Sequence, residues 1–120
     1  MKYLFILFFT NLLINMQAQV QKTFLYEISL YESFRHSSSW SEKEHQIQKE
    51  HINYLDSLTK ENKLQIAGIV EQGLEGHTGL ILLTTNSYEE AQEIALNDPS
   101  VKKGMMSARI RPVTIYFRKE

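Results

Sequence analysis

The 120-residue chain carries 14 acidic and 13 basic side chains, a formal net charge of −1, and no cysteine. Because it lacks a basic surplus or run, we expect no nucleic-acid partner. The absence of cysteine excludes disulfides, thiol chemistry and zinc–thiolate or iron–sulfur centres, so a packed core alone must hold a domain of this size.

The N-terminal residues have the layout of a secretory signal peptide. Lys2 is a positive start, an apolar run follows, and Ala18 is a small residue before a cleavage point. The run is too short to span a bilayer, which takes about 20 apolar residues. We expect cleavage of residues 1–18 and an exported, periplasmic or secreted, domain over 19–120 without stable membrane insertion. The alternative is an uncleaved N-terminal anchor, because Met16 fits the cleavage pattern poorly.

The rest of the chain predicts an α+β fold. Alternating apolar and polar residues predict strands, and apolar residues at helical spacing after Ser-x-x-Glu capping boxes predict helices. In chain order we expect a strand over 23–31, a serine-rich loop, a helix over 41–59, strands over 64–70 and 79–85, a helix over 88–96, a turn ending at Gly104, and a strand over 108–118. This βαββαβ order is the ferredoxin-like arrangement, an antiparallel sheet with helices on one face.

The sheet face without helices is predicted to be apolar. We assign Leu25 of the first strand, Ile69 of the second, and Ile81 and Leu83 of the third to this face. An apolar patch of this kind is usually covered by a partner. A homodimer that packs two such faces together is therefore expected.

One histidine lies where chemistry is plausible. His51 falls within the apolar stripe of the first helix, and imidazole, with an unperturbed pKa of about 6.5, suits proton transfer at neutral pH. Asp98 precedes Pro99 at a predicted helix start, and a carboxylate on one ring nitrogen would fix the tautomer and stabilise the imidazolium. The structural alternatives are a His51 bonded to a backbone carbonyl and an Asp98 that acts only as a helix N-cap, worth about 1 kcal/mol.

Two aromatic residues are pocket candidates, Trp40 at the start of the first helix and Tyr54 on its apolar stripe, although such residues more often belong to a core. His45 lies six residues before His51, which is not the i, i+4 spacing of helical metal ligands, so no metal site is expected.

Five segments together resemble a known family. They are HINYLDSL at 51–58, KLQIAG at 63–68, EEA at 89–91, NDPSV at 97–101, and RP at 111–112. In this order and spacing they resemble the YciI-like (YCII-related) family, small α+β proteins of the dimeric α-β barrel group. The resemblance covers nearly all of the chain from Phe24 onward. It implies a His51–Asp98 dyad, and some relatives act on small hydroxylated or chlorinated aromatic rings without a cofactor.

The expected function is therefore cofactor-independent acid–base chemistry of a lyase, isomerase or dehydrochlorinase type. The substrate would be a small hydroxylated cyclic compound, with His51 and Asp98 as the catalytic pair. Two alternatives stay open: a non-catalytic dimer that binds or senses a small molecule, and a purely structural dimer without a ligand. An enzyme needs a cavity that reaches the His51 ring, whereas a structural dimer needs none.

Overall fold

The computed structural model describes residues 21–71 and 78–120, so the predicted signal peptide lies outside the described residues. Its elements are strands β1 (Lys22–Leu30), β2 (Leu64–Val70), β3 (Thr78–Thr85) and β4 (Met106–Val113), and helices α1 (Glu42–Lys60), α2 (Tyr88–Asn97) and α3 (Pro99–Lys102). Two short 3₁₀ turns occupy part of the serine-rich loop. None of the helices in the described ranges is long and apolar enough to cross a membrane.

The strands form one antiparallel sheet in the order β2-β3-β1-β4, with helices on one face, which confirms the ferredoxin-like α+β prediction. The central strand β1 contributes buried Phe24, Tyr26 and Ile28 to the core between the sheet and the helices. β4 is an edge strand, where Pro112 is tolerated because its missing N–H faces no partner.

β4 starts earlier and ends sooner than the predicted 108–118. Its register runs from Met106 opposite Leu30 to Val113 opposite Thr23, which is almost the whole length of β1. β4 therefore ends where its neighbour stops offering hydrogen-bond partners, a limit that its own sequence does not carry.

The ends of the helices follow the local signals. Ser41 and Glu44 form the predicted capping box at the start of α1, and Asn62 ends that helix in the left-handed conformation, with φ of 62°. At α2 the Ser87 hydroxyl accepts from the Glu90 amide at 3.1 Å, as predicted. The Glu90 carboxylate binds the Asn86 amide at 3.1 Å.

The assignment of β3 to the two sheet faces was wrong. Ile81 pairs with Tyr26 and Leu83 with Phe24, so both lie on the core face, and they are only 2% and 0% exposed. The apolar run in β3 does not alternate, so the sequence did not reveal which of its residues faces the helices. Leu25, by contrast, lies opposite Leu82 on the face without helices.

Ile69 was also misplaced, because β2 contains a β-bulge. Leu64 pairs with Leu83 on the core face, yet Ile66, two residues on, pairs with Leu82 on the other face. The extra residue shifts the alternation for the rest of the strand. Ile69 consequently lies opposite Gly79, on the helix side. We define the helix-free face by its apolar members Leu25, Ile66, Leu80 and Leu82.

Candidate active site

The structure brings His51 and Asp98 together. His51 lies on the inner side of α1, and its Nδ1 atom lies 2.9 Å from Oδ1 and 2.8 Å from Oδ2 of Asp98. His51 is 7% exposed and Asp98 is fully buried. Asp98 occupies the junction of α2 and α3 in an extended conformation, which is the conformation that Pro99 favours in its preceding residue.

Asp98 also accepts hydrogen bonds from two further buried residues. The Tyr26 hydroxyl donates to Oδ2 at 2.8 Å. The Ser100 amide and hydroxyl donate to Oδ1 at 3.0 and 2.8 Å. The bond from the Ser100 amide is the N-cap of α3. The carboxylate therefore caps a helix and holds the histidine at once, since it has two oxygens with about four acceptor positions.

The surroundings keep Asp98 ionised. Burial by itself opposes the charge, but the hydrogen bond and positive charge from His51 and the hydrogen bonds from Ser100 outweigh it, so the pKa of Asp98 lies below its usual value. Burial, reinforced by the nearby Asp98 charge and hydrogen bond, raises the pKa of Tyr26 far above its usual range. Tyr26 therefore stays a neutral donor to an ionised acceptor.

This arrangement fixes the chemistry available to the His51 ring. An ionised carboxylate only accepts hydrogen bonds, so Nδ1 carries the hydrogen. In the neutral ring Nε2 then has a free lone pair. No described residue makes a hydrogen bond to Nε2. The ring can accept a proton at Nε2 while Asp98 stabilises the resulting cation.

A small cavity reaches this ring, and we call it the His51 cavity. Its volume is about 140 Å³. Apolar wall residues are Ile28, Leu30, Trp40, Ile69 and Met106. The cavity lies between α1 and the core face of the sheet, so a molecule inside it would meet the histidine in an apolar setting.

Trp40 lies where the sequence placed a pocket wall. Its indole N–H donates to the Phe34 carbonyl at 2.7 Å, which leaves the ring as an apolar surface of the His51 cavity. The ring also makes an edge contact with His45, with centroids 5.3 Å apart.

Tyr54 is not brought together with Trp40. Its hydroxyl donates to the Ile94 carbonyl at 2.8 Å, and it borders a separate hollow that also includes Glu61. Burial, with the charges of Asp98 and Glu61, raises the pKa of Tyr54 to about 12. Its place between α1 and α2 gives it a packing role.

Three residues of the site were not predicted from the sequence. Tyr26 follows the inward alternation of β1, and a hydroxyl in that position needs a buried partner. Ser100 lies two residues after Asp98, the spacing at which a side chain bonds the local backbone. Gln48 lies one helical turn before His51 and lines the same cavity. Within the described residues no group of three or more His, Cys, Asp or Glu side chains is placed to hold a metal ion.

Comparison with known proteins identifies the class. A model of the YCII-related domain family matches residues 25–114, three quarters of the chain. The protein therefore belongs to the YCII-related domain family, which confirms the resemblance in its sequence. No curated protein sequence matches the chain significantly.

Solved structures align with much of the chain. The 5-chloro-2-hydroxyhydroquinone dehydrochlorinase TftG of Burkholderia phenoliruptrix, in complex with 2,5-dihydroxybenzoquinone, aligns with a TM-score of 0.58 and 17% identity, covering 77% of this chain and 93% of its own. SnoaB, a cofactor-independent oxygenase of Streptomyces nogalater, aligns with a TM-score of 0.48 and 4% identity. The alignment covers 82% of this chain and 95% of SnoaB. A dimeric ferredoxin-like protein from an uncultured marine organism aligns with a TM-score of 0.43 and 16% identity. The alignment covers 86% of this chain and 96% of that protein.

Proposed function

We propose that this protein is a cofactor-independent acid–base enzyme of the lyase, isomerase or dehydrochlorinase type. Its substrate would be a small hydroxylated cyclic compound. One observation carries the proposal: His51 is held through Nδ1 by a buried, ionised Asp98, while its ring lines an apolar cavity. The dehydrochlorinase TftG, whose fold is similar, was solved with a hydroxylated single-ring compound.

In this mechanism His51 is the proton-transfer group. The Nε2 lone pair takes a proton from a ring carbon or hydroxyl of the substrate, and the released electron pair moves into the ring system. Return of the proton to another position gives an isomerisation, whereas loss of a leaving group gives an elimination. Asp98 keeps the ring oriented and stabilises the imidazolium, and it stays ionised throughout.

The decisive variant is His51→Asn. An asparagine amide N–H can replace the Nδ1 hydrogen bond to Asp98, but it has no group that titrates near neutral pH. The trial substrates are hydroxylated quinones, chlorinated hydroquinones and cyclohexenones. NMR would follow the exchange of their ring hydrogens in deuterated water. The native protein should accelerate exchange or turnover of at least one class, and His51→Asn should lose about a hundredfold or more, the usual contribution of a general base.

His36→Asn is the matched control, because His36 is exposed in the loop before α1. Its activity should equal that of the native protein. Ligand binding without turnover by the native protein would instead favour the alternative, a binding or sensing module. If the native protein neither binds nor converts any of these compounds, the acid–base proposal fails.

We also propose that the domain is exported and works as a homodimer. The support for export is the N-terminal pattern around Lys2 and Ala18, and a mature protein that begins near Gln19 would agree with it. Intact Met1 in membrane material would favour the anchor instead. The support for a homodimer is the helix-free face, where Ile66 is 62% and Leu80 39% exposed.

A further inference from the structure

The His51 cavity lies beside a gap in the core face of β3. The core-facing positions of this strand are Gly79, Ile81, Leu83 and Thr85, and the last three carry buried side chains. Gly79 has no side chain, and it is the residue of β3 that lines the cavity. The cavity is therefore found where the series of core side chains along β3 is interrupted.

Gly79 is flanked in the sheet by two residues that also line the cavity. Ile28 of β1 and Ile69 of β2 lie directly opposite Gly79, one on either side. These three residues form a row across three strands on the sheet side of the cavity, whereas His51 lines it from α1. A ring in the cavity would therefore lie between the imidazole and the position where Gly79 lacks a side chain.

The missing side chain at Gly79 also makes room for Ile28. A Cβ atom on residue 79 would lie 2.8 Å from Cγ2 of Ile28. This is well inside the separation of about 3.5–4.0 Å at which carbon atoms attract each other. Cγ2 belongs to a β-branched side chain, so it moves only if χ1 or the backbone of Ile28 changes. Because β1 is paired with strands on both sides, the side chain must give way, and a wall of the cavity changes with it.

The size of the cavity makes this position decisive. Its volume of about 140 Å³ is close to that of an apolar protein cavity of about 150 Å³ known to hold benzene. One ring therefore fills the space. Because close-packed interiors tolerate an added methyl group poorly, a single extra carbon in the wall opposes the binding of such a ring.

We propose that Gly79 is a specificity-determining residue of the His51 cavity, where its missing side chain admits a ligand with one compact ring. The identification of that ligand as a substrate rests on the proposed function, whereas its binding does not require turnover.

Two apolar probes of different size test the proposal without any reaction. Fluorobenzene has one ring, and its binding can be followed by fluorine NMR. Xenon is a single atom that also enters apolar protein cavities, and its binding can be followed by xenon NMR. Specificity is the difference between the two affinities, so a change in Gly79 should affect the two probes unequally.

The test variant is Gly79→Ala, which adds only the Cβ atom. We expect the Kd of fluorobenzene to rise about tenfold or more, the effect of adding one methyl group to a filled space, and the Kd of xenon to rise much less. Gly68→Ala is the matched control, because Gly68 faces away from the cavity on β2 and a Cβ atom there would meet no atom within 4 Å. It should change neither Kd.

A second pair of variants covers a Gly79→Ala protein that does not fold. Ile28→Leu removes Cγ2, the atom that a Cβ on residue 79 would meet, and roughly keeps the volume of the side chain. The double variant Gly79→Ala with Ile28→Leu is then compared with Ile28→Leu alone, and the same preferential loss of fluorobenzene is expected.

An unchanged fluorobenzene Kd in Gly79→Ala would overturn the proposal, and so would a native protein that does not bind fluorobenzene. Equal losses for fluorobenzene and xenon would also overturn it, since the variant would then have closed the cavity to every ligand. The two proposals fail separately. Turnover lost in His51→Asn with unchanged fluorobenzene binding in Gly79→Ala rejects only the role of Gly79. Ring binding that depends on Gly79 without any turnover rejects only the catalysis.

Discussion

Asp98 presents both carboxylate oxygens to a single atom of His51, Nδ1, at 2.9 and 2.8 Å. The same two oxygens accept from the Tyr26 hydroxyl and from the amide and hydroxyl of Ser100. The cap of α3 and the orientation of the histidine thus depend on one buried side chain. Any change at Asp98 should therefore affect stability and the proposed chemistry together.

We expect acid to weaken the fold through Asp98. Its pKa is depressed in the folded protein, whereas an unfolded aspartate titrates at about 3.9. The contribution of Asp98 is therefore fully present above about pH 4 and is lost as the pH falls through the lower, folded value. Urea unfolding followed from neutral to acid pH should show this loss.

Asp98→Asn should remove that part of the acid dependence. At neutral pH it should lower the free energy of unfolding by about 2 kcal/mol, because the amide keeps one acceptor oxygen but loses the charge that pairs with His51. Asp56→Asn is the control, since Asp56 forms an exposed ion pair with Lys60 on α1. An Asp98→Asn protein with the native acid profile would contradict the depressed pKa.

We expect the two tyrosines near Asp98 to stabilise the fold up to alkaline pH and to destabilise it when they ionise. The pKa of Tyr54 is raised to about 12 and that of Tyr26 still further. Their contributions are fully present below about pH 10, the unfolded value, and are lost as the pH rises through the folded values. In an alkaline titration, tyrosinate absorbance should therefore show two late-ionising tyrosines, which lose their protons above about pH 10 and together with unfolding.

Tyr26→Phe should remove one of these two late-ionising tyrosines from the titration. It should also cost about 1–2 kcal/mol at neutral pH, because Asp98 loses a buried donor. Tyr116→Phe is the control, since Tyr116 is 84% exposed near the C terminus. If Tyr26→Phe still shows two late-ionising tyrosines, Tyr26 is not one of the tyrosines with a raised pKa.

The elements and the dyad were predictable because their signals are local or rest on a family resemblance. A capping box begins α1 at Ser41, Asn62 ends that helix, and Pro99 marks the start of α3. Each of these acts on its own few residues of backbone. The pairing of His51 with Asp98 spans 47 residues, and it was suggested by the resemblance together with the position of His51 in an apolar stripe.

The misplaced residues depend on information between strands. Ile81 and Leu83 belong to an unbroken apolar run, so only their pairing with β1 defines their face. Ile69 changed face through a bulge near the start of β2, which has no sequence signal of its own. The partners of Asp98 likewise depend on which side chains meet in the folded core.

The corrected faces change the test of the homodimer. Leu82→Glu places a carboxylate on the helix-free face, whereas the equivalent change at Leu83 would fall in the core and should unfold the protein. In a two-fold symmetric interface each substitution is present twice, so Leu82→Glu would bury two carboxylates. Because both charges must be desolvated, the Kd of the dimer should rise by about a hundredfold or more. Sedimentation velocity over a range of protein concentrations measures this shift. Ile52→Glu, on the exposed side of α1, should leave the native protein's association unchanged. A native protein that sediments as a monomer at every concentration would contradict the dimer, and so would a Leu82→Glu protein that is folded and still dimeric.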